Sequence, residues 1–400
     1  GLTNVKGQIV AELDSVDNQS LVQTIGGEKI QCVVDQNQIG RMMIKASRQP
    51  GLAQIYNELL GFQGHEFYLK SWPKLSGMSF KDIYLIFPQA IVCGILPKGS
   101  MDFVICPPDT QTLGEGDELL VLAWDDSSYE PAKPVNVSSG KLPELKISNQ
   151  KPEKTLLCGW RDDVANMIKE LDKYVVPGSE LTILSDLSLE KRNAVLEPNG
   201  NGPLKVHNQK LIHKFGSPVE REALEKLNLS EFDSILVFSD QKKSERMELK
   251  DSRSIASLLT IRDIQKTLKT EKKTTIISEV CDPRTKDLLS VANVSDFVIS
   301  NELISLILST VSENGKFNSL WNELLSPDGN EIYLNNVDQY ITGEEELSFW
   351  QLSVRARLRN EIVLGYVVLK EGSAIVLNPS DKNAPRRWAA GELIITIASD

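Results

Sequence analysis

Ile55-Tyr56-Asn57-Glu58-Leu59-Leu60-Gly61-Phe62-Gln63-Gly64-His65-Glu66-Phe67-Tyr68-Leu69 has a second copy in the same chain, Leu320-Trp321-Asn322-Glu323-Leu324-Leu325-Ser326-Pro327-Asp328-Gly329-Asn330-Glu331-Ile332-Tyr333-Leu334. The two align without a gap. Each reads as a helix end, a tight turn and the start of a strand. Asn-Glu-Leu-Leu is identical in both, and Gly-x-Glu-(Phe/Ile)-Tyr-Leu follows at the same distance. A match this dense points to a duplicated module.

The match extends in both directions. Upstream, Gln8-Ile9-Val10-Ala11-Glu12-Leu13 parallels Thr275-Ile276-Ile277-Ser278-Glu279-Val280, each an apolar strand closing on a carboxylate. Downstream, Gly116-Asp117-Glu118-Leu119-Leu120-Val121 parallels Gly391-Glu392-Leu393-Ile394-Ile395-Thr396. Each copy is therefore an α/β unit followed by a crossed helix pair and a small β-rich lobe.

Between 8 and 62 the pattern predicts a strand at 8–13 and a helix entered at Asp17-Asn18 and stopped by Gly26-Gly27. A strand at Ile30 to Val34 follows, then an amphipathic helix from Gln38 to Ser47 with Ile39, Met42, Met43 and Ala46 on one face. Pro50-Gly51 breaks it before a last helix reaching Leu60. Its apolar stripe is wide enough either to lie across a neighbouring subunit or to pack on its own sheet. Residues 63–127 read as the first β lobe and 128–153, rich in proline and serine, as a linker. Alternating strands and helices from 154 to 328 predict a doubly wound parallel sheet with its own helix pair. Polar stretches at 197–201 and 241–251 read as loops. Residues 329–400 form the second β lobe. The first unit, 1–62, starts at a strand that has no α/β elements before it, so the expectation is that part of this unit lies upstream.

The chain carries 44 basic and 55 acidic residues, a net charge of −11, which disfavours a nucleic-acid partner. Its five cysteines are too scattered for a disulfide framework or a zinc site, and its three histidines are isolated. The longest apolar run, Ile83 to Leu96, is broken by Pro88 and too short to cross a bilayer. No Gly-x-Ser-x-Gly, P-loop or nucleophile–base pair is present, so no enzyme activity is indicated. In the first turn of the complete α/β region, Cys158-Gly159-Trp160-Arg161-Asp162-Asp163, arginine stands where a dinucleotide loop needs its second glycine. Two carboxylates follow where phosphate would sit.

The best site candidates are the acids at the repeated strand end: Glu12, Asp14 and Asp17 in the first copy, Glu279 and Asp282 in the second. Ligands bind beyond the carboxyl ends of such strands, and clustered carboxylates supply the oxygen donors calcium requires. The same acids can equally serve as helix caps or hold neighbouring turns.

This order of elements is similar to that of RCK domains (regulators of potassium conductance). More specifically, the chain resembles the cytosolic half of the CASTOR/POLLUX ion channels of plants. The resemblance is carried by Ala46-Ser47-Arg48-Gln49-Pro50-Gly51-Leu52, Gly114-Glu115-Gly116-Asp117-Glu118, Trp124-Asp125-Asp126-Ser127-Ser128-Tyr129, Leu157-Cys158-Gly159-Trp160-Arg161, Val354-Arg355-Ala356-Arg357 and Pro385-Arg386-Arg387-Trp388, and covers nearly the whole chain. It implies tandem RCK units, each a Rossmann-like sheet, a crossover helix pair and a β lobe, the first N-terminally incomplete. It also implies a tetrameric gating ring beneath a transmembrane cation pore of the same polypeptide, and regulation by calcium. Its location would be the nuclear envelope, in symbiotic signalling, with the plastid envelope or a bacterial plasma membrane as alternatives. Calcium-gated RCK proteins place two acids at a strand end that falls on Glu12 and Asp14. In the second unit the corresponding acids are Glu279, with Asp282 beside it, and an upstream position near Asp240. The competing expectation is a nucleotide-responsive (NAD or ATP) regulator of a cation transporter, or a diverged Rossmann oxidoreductase.

Overall fold

The computed structural model describes residues 7–13, 16–138, 140–144, 150–197, 204–239, 246–268, 274–286, 289, 297–343, 345–368 and 374–399. Asp14 and Asp240 lie outside these residues, as do most of the first expected polar loop and part of the second.

In the first copy, β1 (Ile9–Leu13) and β2 (Ile30–Val34) pair in parallel, with Ile9 opposite Ile30 and Glu12 opposite Val33. They are joined through α1 (Gln19–Gly26), which ends where Gly27 takes a φ of +60°. α2 (Asp35–Arg48) leaves β2 without a loop, three residues earlier than the apolar pattern suggests. α3 (Leu52–Leu60) follows the Pro50-Gly51 break. The first β lobe then holds β3 (Glu66–Lys70), α4 (Phe80–Tyr84), β4 (Ile91–Leu96), β5 (Val104–Ile105) and β6 (Glu118–Ala123).

The second copy begins with β7 (Lys154–Cys158), α5 (Val164–Tyr174), β8 (Ser179–Ser185), α6 (Leu189–Leu196), β9 (Gln209–Phe215), α7 (Arg221–Glu225) and β10 (Ser234–Val237). α8 (Met247–Leu268), β11 (Thr275–Val280) and β12 (Phe297–Ile299) complete its sheet. All six strands are parallel in the order β12-β11-β10-β7-β8-β9, the doubly wound arrangement expected. Leu156, Ile235, Val237 and Ile276 on the strands and Leu258, Ile261 and Ile264 on α8 form one buried cluster. Each such side chain contributes about 1.5–3 kcal/mol on leaving water. α9 (Ser300–Glu313) and α10 (Phe317–Leu325) are the second helix pair. The second β lobe contains β13 (Asn330–Asn336), β14 (Glu346–Leu347), α11 (Phe349–Arg357), β15 (Ile362–Val368), β16 (Ala374–Leu377), β17 (Arg386–Arg387) and β18 (Leu393–Ser399).

The two lobes share a topology. Strand order β3-β6-β4-β5 in one is β13-β18-β15-β16 in the other. Even the irregularities recur. The register slips between Val92 and Gly94 and again between Val363 and Gly365. A Cβ at Gly94 would meet the Val104 carbonyl at 2.8 Å, and one at Gly365 the Val376 carbonyl at 2.1 Å, so both crossings require glycine. After the short partner strand, Cys106 and Asn378 both adopt positive φ, +48° and +39°.

The chain divides into two compact units that do not follow the repeat boundary: residues 1–53 with 149–315, and 54–148 with 316–400. In the first unit the long helices are exchanged. α2 of the first copy packs on β10, β11 and α5 of the second, and α9 of the second packs on β1 and β2 of the first. This explains why α2 is buried on nearly every side, Gln38, Lys45 and Ser47 included, rather than along one stripe. At Gly40 an added Cβ would sit 2.9 Å from Met167 of α5, a measure of how closely the helices cross. α2 thus lies on the other copy within the same chain, where the expectation was a neighbouring subunit or its own sheet.

In the second unit α3 meets α10 through the Tyr56 hydroxyl, which donates to the Leu324 carbonyl at 2.5 Å. The two β lobes touch through matching positions. Cys106 Sγ donates to the Asn360 carbonyl at 2.8 Å, and Asn378 Nδ2 donates to the Gln89 carbonyl at 2.8 Å. Cys106 and Asn378 are equivalent in the repeat, and so are Gln89 and Asn360, each shortly before its central strand. Arg357 reinforces one side, donating to Pro107 O and Asp109 at 2.7 Å while stacking over Phe80.

The expected linker is partly structural. Tyr129 is fully buried among Tyr68, Trp72 and Phe87, and the amides of Ala132 and Val135 donate to Ile86 O and Leu85 O. Its proline content signals extended chain, which here runs against the lobe.

Candidate functional site

Parallel strands deliver their carboxyl ends to one edge, and in the first unit that edge carries a cleft of about 420 Å³. Its walls include Asp35 and Gln36 at the start of α2, Met247 and Lys250 at the start of α8, Ser300 and Asn301 at the start of α9, and Ser239, Glu279 and Cys281 at strand ends. Both copies thus contribute to one cleft.

Glu279, the last acid of β11, is buried at the base of the cleft. Arg161, fully buried, reaches it from the β7–α5 turn with Nη1 at 2.8 Å from Oε1. The same guanidinium holds Asp163 through Nε at 2.8 Å and Nη2 at 3.2 Å, and donates to Gln36 O of α2 at 3.2 Å. The other Glu279 oxygen accepts the Ser239 amide at 3.1 Å. Burial pushes the Glu279 carboxyl up, while Arg161 and the Ser239 amide pull it back. Burial alone would lower Arg161, but Glu279 and Asp163 outweigh it and keep the guanidinium charged. A cation is thus already in place at Glu279, supplied by the chain itself.

Asp282 has a different task. Its carboxylate caps the turn at 283–285 by accepting the Arg284 amide at 2.9 Å and pairs with the Arg284 guanidinium, which holds it below the usual carboxylate range. Asp251 of α8, absent from the sequence-based candidates, accepts the amides of Cys281 and Asp282 at 2.7 and 2.9 Å and fixes the strand exit. Residues 247–251, part of a stretch whose polarity reads as a loop, are the start of α8, with Asp251 turned inward.

In the first copy, Glu12 occupies the place in β1 that Glu279 occupies in β11. Glu12 faces Val33 across the ladder as Glu279 faces Val298. Yet Glu12 is exposed, and so is Asp17, in the turn leading into α1. The structure therefore brings Glu279 and Asp282 to one strand end, each engaged by its own arginine, whereas Glu12 is exposed. Among the described residues no three histidine, cysteine or acidic side chains converge as a metal-binding group. In the turn that would receive a dinucleotide Arg161 is paired with Asp163, and a cavity of about 120 Å³ lined by Gly159, Asp186 and Arg253 lies beside it. Sequence reading noted Arg161 only as a missing glycine. Its burial beside two acids was the signal of its actual role.

Comparison with known proteins follows the same lines. Residues 36–139 match the family described as "Castor and Pollux, part of voltage-gated ion channel", and residues 192–278 match the slowpoke-like RCK domain of calcium-activated potassium channels. The probable ion channel CASTOR of Oryza sativa subsp. japonica is 41% identical over 427 residues, covering 99% of this chain and 48% of that protein. The ion channel POLLUX of Lotus japonicus is 39% identical, covering 100% of this chain and 47% of that protein. The chain belongs to the CASTOR/POLLUX family. It spans about half the length of these relatives, which are named as ion channels and not as enzymes. The human SLO3 gating ring superposes with a TM-score of 0.68 at 12% identity, over 98% of this chain and 81% of that one, which establishes the RCK gating-ring fold for this CASTOR/POLLUX chain. Among the described residues no helix is long and apolar enough to cross a membrane.

Proposed function

We propose that this chain is the ligand-sensing gating-ring region of a cation channel, and that calcium is the ligand. The observation that carries this reading is the contrast between the two repeated strand ends within a CASTOR/POLLUX chain of RCK fold. Glu279 is charge-compensated internally, whereas Glu12 presents an open carboxylate at the equivalent position. Calcium takes oxygen donors from several carboxylates, and Glu12, Asp14 and Asp17 would supply them in the first copy. Glu279 does not fit that role, because the Arg161 guanidinium stands where the ion would. Asp282, together with Asp240 from the sequence-based set, remains as a weaker donor in the second copy.

Calcium would shift the ring only by its preference for one arrangement of the two copies. A tetrameric ring would transmit that shift to a pore carried elsewhere in the polypeptide, in the nuclear envelope or another membrane. The test is calcium titration of the purified chain by calorimetry, with mass and size measured in parallel. Binding that disappears in the Glu12→Ala/Asp14→Ala double variant and persists in Glu279→Gln supports the assignment. Binding unchanged in the double variant rejects it. NADH titration separates the competing reading: the carboxylates that follow Arg161 in the 158–163 turn would repel a pyrophosphate, so no binding is expected.

A further inference from the structure

Lys382 lies between β16 and β17 of the second lobe and is 2% exposed. Its Nζ donates to the Pro88 carbonyl of the first lobe, and it lies 5.5 Å from the centre of the Trp350 ring. Trp350 returns the contact, its amide donating to the Lys382 carbonyl at 3.0 Å, and its ring meets Tyr84 of the first lobe edge-on. The lysine therefore sits in the seam between the lobes, next to the Asn378–Gln89 contact.

What this seam lacks for Lys382 is a counter-charge. Among the described residues no carboxylate pairs with it, and burial alone pushes its amine down to about 7. A carbonyl and an aromatic face compensate an ammonium only in part. We propose that the contact between the two β lobes is a proton-linked latch, closed around the neutral Lys382 amine and loosened when that amine takes up a proton. The ligand is the proton, and the element it biases is the 378–385 segment that carries Lys382 into the first lobe.

The groups facing Lys382 do not obscure this. His65 is lowered by burial and then by Lys382 itself, away from the range in which Lys382 titrates. Tyr84 and Cys93 are pushed up by burial, beyond the range concerned. Arg357 is paired with Asp109, and Asp381 accepts the Asn383 and Ala384 amides. The sign follows from linkage. The closed state has a depressed lysine pKa and the open state the ordinary one, so closing releases a proton between pH 7 and 10.5. The closing equilibrium therefore strengthens about fivefold from pH 7 to 8 and about tenfold from pH 8 to 9, and is nearly flat below pH 6.

The experiment is amide hydrogen exchange on the purified chain from pH 6 to 9, corrected for the intrinsic pH dependence of exchange. Protection of the Trp350 amide and of the 378–386 segment should rise about fivefold from pH 7 to 8. In Lys382→Met it should be flat and high, and in Lys382→Arg flat and low. A flat wild-type profile, or an undiminished slope in Lys382→Met, overturns the proposal. Should Lys382→Met fail to fold, the wild-type chain suffices, with ¹³C-labelled lysine followed by NMR. A Lys382 midpoint near 7 supports the latch, and one near the ordinary lysine value overturns it.

Discussion

Arg161 Nη1 lies 2.8 Å from Glu279 Oε1, and both side chains are withdrawn from water. One guanidinium thereby ties the first turn of the second copy to the end of β11 and to the start of α2 in the first copy. Removing one member of a buried pair strands the other charge. Arg161→Met should lower unfolding free energy by about 3–5 kcal/mol, and adding Glu279→Gln should restore a large part of it. Urea unfolding of the two single variants and the double variant measures this. Equal loss in single and double variants would contradict it.

The Tyr56 hydroxyl and Leu324 carbonyl join the two shorter crossover helices. Tyr56→Phe keeps the ring in its buried site but leaves that carbonyl without this donor, at a cost of about 1–3 kcal/mol. The corresponding position in the second copy is Trp321, whose ring packs edge-on against Phe67 at 5.7 Å. Thermal unfolding of Tyr56→Phe should show one cooperative loss, not a separate early transition.

The paired bulges allow a graded comparison. A methyl at Gly365 meets backbone oxygen at 2.1 Å, and one at Gly94 at 2.8 Å. Both clash with main chain, which cannot swing aside. Gly365→Ala should destabilise by about 1–3 kcal/mol or more, and Gly94→Ala by less. Chemical denaturation of the two variants ranks them, and the reverse order would count against the bulge geometry.

Arg355 holds Glu345 through a forked pair, with Nη2 at 2.9 Å from Oε2. Hydrogen bonding from Arg355, followed by the Thr342 amide and hydroxyl, brings the Glu345 carboxyl down to about 2 despite partial burial. A carboxylate depressed on folding stabilises above its unfolded value near 4.5, and that contribution is lost as pH falls from there toward 2. The stability difference between wild type and Glu345→Gln should therefore be constant near neutrality and vanish across this acid range. Urea midpoints collected from pH 7 to 2.5 provide the check.

Much of the architecture was legible because it rests on local patterns. The strand at Ile30 to Val34, the Pro50-Gly51 break and the repeated Gly-x-Glu-aromatic strand starts each carry their own signal. What escaped reading depends on tertiary partners. α4 is a helix of five residues, too short for its Phe80, Ile83 and Tyr84 to stand out as a period, and α6 is polar. The start of α8 reads as a loop until Asp251 is seen to turn inward onto the 281–285 turn. Arg161 and Lys382 look like surface charges in a string of letters. Only the fold shows one enclosed by acids and the other, among the described residues, paired with none. Glu12 and Glu279 lie at equivalent strand positions, but nothing local distinguishes exposed Glu12 from Glu279 paired with Arg161. That difference comes from an arginine more than a hundred positions away.

The exchange of α2 and α9 has a practical corollary. Each helix finishes the other copy's apolar interior, so neither repeat is a self-sufficient folding unit. Fission of the polypeptide within the 128–153 segment should yield fragments that co-purify as a nicked whole. Either fragment expressed by itself should precipitate.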